Sequence, residues 1–144
     1  MEDFTLAADA RLDDWDVLQK GQRKVAAIHM GGIYIECLLK GMICSEYHVV
    51  EGSIPRKWEV DGVEYPRPSH NLKADVYSDI LTDIYDDMSD EIDSALEYVN
   101  KPENIEYINY RYMPDSDVSQ ENYDKWHEEF IKLFNYLQDK KHEM

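Results

Sequence analysis

Four residues of this 144-residue chain have types and settings that point to chemistry: Arg111, His70, Glu36 and Lys40. Arg111 stands in Tyr107-Ile-Asn-Tyr-Arg-Tyr112, with tyrosines at 107, 110 and 112. A guanidinium there either stacks on rings or grips a carboxylate or phosphate with its planar fork. Tyr112 joins it as a ligand-binding candidate. Glu36 and Lys40 are four apart in the favourable order for a helical ion pair. In so apolar a segment they are partly desolvated, so each needs the other. They are either a structural pair or the lining of a pocket with His70 or Arg111. Arg23 and His29 form another Arg/His set, but six positions put them about 120° off a shared helical face. A pair built from His70 and Arg111, distant in sequence, is the remaining catalytic combination.

These residues need elements to carry them. Residues 23–43 read as a helix apolar on nearly every side, as a helix surrounded by others must be. Val25, Ile28, Gly32, Ile35, Leu39 and Met42 share one face, and Gly31-Gly32 leave room for the backbone of a neighbouring helix. The segment from Thr5 to about Lys20, with Leu6, Ala7, Ala10, Trp15 and Leu18 inward, forms a first helix capped by Asp3 or Thr5. Gly21 ends it, and so short a connection makes the two helices antiparallel. Lys57 to Tyr65 alternates around Asp61-Gly62, the signature of a small hairpin with a type I′ turn; it is either an ordered connection or a recognition flap. Leu72, Val76, Ile80, Leu81 and Ile84 mark a helix capped by Ser69, and Ile92, Leu96 and Val99 a helix from about Ser89. Pro102 closes that helix. Tyr123, Trp126, Phe130, Leu133, Phe134 and Leu137 mark a last amphipathic helix from about Ser119 to Lys140. The expectation is one all-α domain over 1–144, a four- to five-helix up-and-down bundle with a small β-hairpin between helices 2 and 3.

Thirty-one acids against 15 bases give a net charge of −16. That argues against unaided nucleic-acid binding and suits a basic protein partner. From Asp75 to Asn100 there are nine acids and no Lys or Arg. Asp75, Asp79, Asp83, Asp87 and Glu91 fall at steps of four, which makes either a solvated face, a surface for a basic partner or, least readily, an ion site. Hard-ion sites converge from several elements, so no metal is expected here. Cys37 and Cys44 lie seven apart on one helix, about 10 Å, too far for a disulfide, and no zinc spacing exists. A reduced, cytoplasmic setting follows. No secretory signal is evident and no apolar run approaches a membrane span. Nothing in the sequence calls for a cofactor.

The order of features resembles HEPN domains (higher eukaryotes and prokaryotes nucleotide-binding). The resemblance rests on Ala10-Arg11, Asp14, Leu18 and Gly21-Gln22-Arg23, then Met30-Gly-Gly-Ile-Tyr-Ile-Glu-Cys-Leu-Leu-Lys40, Ser69-His70-Asn71-Leu72, and Arg111-Tyr112 before Pro114. It implies a helical bundle, often dimeric. It also implies a role as a metal-independent ribonuclease, as the partner of a minimal nucleotidyltransferase in a toxin–antitoxin or other prokaryotic defence system, or as a binding protein. The family's ribonucleases carry an Arg followed four to six residues later by a His, late in the chain. After Arg111 the next histidine is His127, so that pair is absent. The resemblance therefore favours binding of a protein partner or nucleotide. The alternatives are a divergent ribonuclease using Arg111, and an acidic decoy that imitates nucleic acid.

Overall fold

A computed structural model describes residues 2–52, 54 and 56–144. Six α-helices and a three-stranded antiparallel sheet make up the regular structure: α1 (Phe4–Lys20), α2 (Lys24–Glu46), β1 (Val49–Glu51), β2 (Lys57–Val60), β3 (Val63–Pro66), α3 (Asp75–Ile80), α4 (Thr82–Asp86), α5 (Asp90–Asn100) and α6 (Gln120–Glu143). The chain is mostly helical, and α2 is its centre.

Asp3 starts α1, its carboxylate accepting from the Leu6 N–H at 3.1 Å, and Gly21 ends it. The inward face is Phe4, Ala8 and Trp15. The expected stripe through Leu6 and Ala10 is corrected: Leu6 is 66% exposed and Ala10 also faces solvent. Phe4 sets the register, because its ring docks on Trp58 at 5.7 Å and spans the gap between helix and sheet. The start of α1 also lies against the end of α2, with Thr5 beside Gly41 and the Phe4 ring under Lys40, so the two helices are antiparallel.

All six residues of the expected α2 face are buried, as are Leu38 and Ile43. Gly31 and Gly32 do make room, but for aromatic rings rather than for a helix backbone. A Cβ on Gly31 would stand 2.5 Å from the Trp126 ring, and one on Gly32 would stand 2.1 Å from Tyr107 Cδ2. Contrary to the sequence expectation, α2 is long and apolar enough to cross a bilayer, yet most of it is buried inside the protein. Around it α6 contributes Trp126, Phe130, Leu133 and Leu137, and the Trp126 and Phe130 rings stack at 4.9 Å.

The hairpin is present, with Asp61 and Gly62 both at positive φ (48° and 83°), as a type I′ turn requires. A third strand, β1, pairs with β2 and was not anticipated. Trp58 and Val60 bury the inner face of the sheet. Ser69 does not cap a helix. Residues 69–74 form a turn, α3 begins only at Asp75, and Leu81 (φ −95°, ψ 51°) separates it from α4. The helices expected from about Ser89 and Ser119 begin there, and both serines are their caps, accepting from the Ile92 and Asn122 N–H groups.

Candidate functional site

Between α5 and α6 the chain runs back along α2, in the opposite direction. Tyr107 stands beside Gly32 and Glu36, Arg111 shares a groove with His29, Asp115 accepts the Val25 N–H at 3.0 Å, and the Val118 carbonyl accepts from Lys24 Nζ at 2.6 Å. Tyr107–Tyr112 is a 3₁₀ segment, which turns Tyr107 and Tyr110 to one side, both buried, and leaves Arg111 exposed on another. On α2, Glu36 and His29 are seven apart and therefore share a face, about 10 Å from each other along the axis. One seam thus carries most of the candidate residues.

At its upper end Glu36 is buried and has three donors. Lys40 Nζ donates to Oε2 at 2.7 Å, and Tyr107 Oη donates to Oε1 at 2.6 Å. His70 Nδ1 lies 2.5 Å from the same Oε1. Burial alone would raise the Glu36 carboxyl, but the hydrogen bonds from Lys40, Tyr107 and His70, with the charge of Lys40, outweigh it and hold the group below its ordinary value. Glu36 is therefore a carboxylate, an acceptor only, so Nδ1 of His70 carries a proton and Nε2 is the nitrogen free to exchange one. Burial, then the Glu36 charge, pushes the Tyr107 phenol far above its usual value, which keeps it a donor. Lys40 is as buried as Glu36 and belongs to the structural knot; it does not line the groove.

The loop bearing His70 is fixed from behind. Tyr77 Oη donates to the Ser69 carbonyl at 2.6 Å, Tyr85 Oη donates to the Leu72 carbonyl at 2.8 Å, and Asn100 Oδ1 accepts the Leu72 N–H at 2.9 Å. Asn100 is itself buried and donates to Asn71 Oδ1 at 3.0 Å. The imidazole nevertheless stays 58% exposed. A histidine both oriented and open is an arrangement suited to proton transfer.

At the lower end, Arg23, Val25, Ala26, His29, Arg111, Met113, Pro114 and Asp115 line a groove of about 510 Å³. The helical-wheel expectation that separated Arg23 from His29 is corrected. Arg23 is the N-cap, with non-helical backbone angles (φ −92°, ψ 84°), so its side chain is not bound to the wheel. Arg23 lies 3.8 Å from Asp115, whereas Arg111 has no carboxylate partner among the described residues. Of the three tyrosines around Arg111, only Tyr112 meets it, with the guanidinium 4.7 Å from the ring centre. Tyr107 and Tyr110 turn inward, and Tyr112 is 74% exposed. Burial, followed by the charges of Arg111 and His70, lowers the His29 pKa. His29 shares its groove with Arg111 but not with His70, which opens on a small separate crevice with Asn71, Asn100, Lys101, Glu106, Tyr107 and Ile108.

The acid row does not form one face, because α3, α4 and α5 divide it. Asp87 pairs with Lys140 at 2.7 Å, Glu91 with Lys132 at 3.4 Å, and Asp93 and Glu97 with Lys73 at 3.2 and 3.3 Å. No group of three metal-ligating side chains occurs among the described residues. Burial, then the Glu36 charge, raises the Cys37 thiol, which makes it a poor nucleophile. Another hollow, about 240 Å³ between the start of α1 and the ends of α2 and α6, offers Lys141 and Glu46 at an otherwise largely apolar wall.

Sequence reasoning found Glu36, Lys40, His70 and Arg111 but missed Tyr107 as the third donor to Glu36, and missed Asp115 and Asn100. The available signal was the three-residue spacing of Tyr107 and Tyr110, which share the inward side of the 3₁₀ segment; the partner across the fold had no local signature. No family model, curated protein or solved structure matches the chain.

Proposed function

We propose that the chain is a HEPN-like helical protein that binds a nucleotide, or the end of a single-stranded RNA, through its phosphate at the groove of Arg23, His29 and Arg111. The observation that carries this reading is the convergence of two arginines and a histidine, against one carboxylate, in a chain with a net charge of −16. A local positive site in a negative field selects small anions and strand ends over long duplexes, whose phosphates the rest of the surface repels. Arg111 is the principal anion ligand, since its fork is free of carboxylates and matches a phosphate. The exposed face of Tyr112 beside it is a platform for a base.

The resemblance supports the same reading, with α1, α2, α5 and α6 as the long members of a four- to five-helix bundle and the broken α3–α4 pair as the fifth. In that setting the protein works in the cytoplasm of a prokaryote, within a toxin–antitoxin or other defence system. Its partner there is a second copy of itself or a basic protein such as a nucleotidyltransferase.

Calorimetric titration with AMP, ADP, ATP and a short single-stranded RNA tests the binding. Arg111→Ala weakens it about 10- to 100-fold, the range for one charge-assisted hydrogen-bonded contact, and leaves the melting temperature unchanged because the side chain is exposed. Affinity indifferent to both Arg111→Ala and Arg23→Ala overturns the assignment.

A further inference from the structure

We infer that the hollow between the start of α1 and the ends of α2 and α6 is a second binding site, and that it takes a free α-amino acid with an apolar side chain the size of leucine. The inference stands apart from the phosphate-binding reading, because no residue that lines this hollow also lines the groove of Arg111.

The space arises where α1 meets α2. The two helices close up at Gly41, where an added Cβ would stand 3.2 Å from Thr5 Oγ1 and 3.3 Å from the Thr5 nitrogen. One turn further along α1 the side chain is only Ala8, and with Leu38 and Met42 it makes an apolar floor. Met144, 47% exposed, forms a wall whose flexible thioether chain adapts to the shape beside it. The volume is about 240 Å³. That lies under the ~300–1,000 Å³ of sites for drug-sized ligands, so the hollow suits a molecule of amino-acid size and not a nucleotide.

The rim selects among such molecules. Thr5, Ser45, Glu46 and Lys141 surround the floor, and none of these four side chains has a hydrogen-bond or ion-pair partner among the described residues. Glu46 and Lys141 are opposite in charge, yet they do not pair with each other. A simple carboxylic acid would meet Lys141 but be repelled by Glu46, and a simple amine would meet the reverse. A zwitterion satisfies both. Its carboxylate goes to Lys141 and the Thr5 hydroxyl, at the positive end of α1, and its ammonium to Glu46 and the Ser45 hydroxyl, at the negative end of α2. Its side chain then lies on Ala8, Leu38 and Met42, where burial of apolar surface adds affinity.

The test titrates L-leucine into the whole chain labelled with ¹³C at its methionine methyls. Met42 and Met144 line the hollow and Met113 lines the phosphate groove, so one spectrum reports both sites. The expected result is a saturable shift of Met42 and Met144 with Met113 unmoved. Removing the ammonium (4-methylpentanoate) or the carboxylate (3-methylbutylamine) weakens binding about 10- to 100-fold, the range for one charge-assisted contact. Glycine, which lacks the apolar side chain, weakens it at least as much. Glu46→Gln and Lys141→Met keep the bulk of each side chain and break no partnership, so both variants fold, and each lowers leucine affinity by the same factor. Leucine that leaves Met42 and Met144 unmoved at millimolar concentration, or that shifts Met113 instead, overturns the inference. So does 4-methylpentanoate that binds as tightly as leucine, or affinity indifferent to both substitutions. AMP that shifts Met113 alone sustains the phosphate reading whatever leucine does.

Discussion

Replacing Glu36 by Gln would remove the one negative charge of the buried knot and keep its volume. The amide has a single acceptor oxygen for three donors, Lys40, Tyr107 and His70, and presents an N–H₂ group where a lone pair stood. Lys40, only 6% exposed, would be left as a buried cation without a counter-ion. Breaking a buried pair in this way costs about 3–5 kcal/mol. At about 3 °C per kcal/mol for a chain of this size, the melting temperature falls by about 10 °C, measured by circular dichroism or calorimetry. The double variant Glu36→Gln/Lys40→Met removes the stranded charge and recovers much of the loss, so the two substitutions are strongly non-additive. The pH dependence follows with the same sign. Because the folded carboxyl is held below its ordinary value, the unfolded chain binds more protons between the folded value and about pH 4.3, and stability climbs with pH through this window. Above the window the contribution is complete; as pH falls through the folded value it is lost. Glu36→Gln flattens that climb. A fall of less than about 2 °C, or additive single and double variants, would refute the account of Glu36 as the counter-charge of Lys40.

Gly32→Ala places a methyl 2.1 Å from the Tyr107 ring, so it expels the ring from the seam and costs about 1–3 kcal/mol or more. Gly41→Ala, whose nearest neighbour is Thr5 Oγ1 at 3.2 Å, costs visibly less in the same denaturant titration. Asp115→Ala frees the Val25 N–H at the start of α2 and destabilises by about 0.5–2 kcal/mol, seen as a shift in the urea midpoint. His29 has a lowered pKa, so below about pH 6.5 the unfolded chain takes up a proton that the folded one resists. Wild-type stability therefore declines as pH falls through that range, and His29→Phe declines less in parallel melts.

The periodic elements were legible because their cause is local. The α2 and α6 stripes, the helix starts near Ser89 and Ser119 and the Asp61-Gly62 turn each depend on residues within a turn or two of one another. The α1 stripe was misassigned because its register is set by Phe4 meeting Trp58, which no window of α1 contains. The row of acids suggested one continuous helical face, but Leu81 leaves the helical region and divides it. Glu36 and Lys40 were readable as a pair, being four apart, whereas the donors Tyr107 and His70 come from 71 and 34 positions away. Arg23 and His29 were kept apart by wheel geometry that a capping residue does not obey.

The antiparallel run from Tyr107 to Val118 also has a bearing on the order in which this protein can be built. The most apolar helix of the chain receives the cap of its first turn from a residue 90 positions later, and the rings that fill the space at Gly32 and Gly31 come from Tyr107 and Trp126. As the chain emerges from the ribosome, α2 is therefore complete in sequence long before it is complete in structure. A nascent chain halted near residue 100 would present the glycine notch and the Glu36–Lys40 pair to solvent without the aromatic cover that closes them. Such a chain is the form expected to need a chaperone, and folding of the central helix becomes a late event governed by the final third of the sequence.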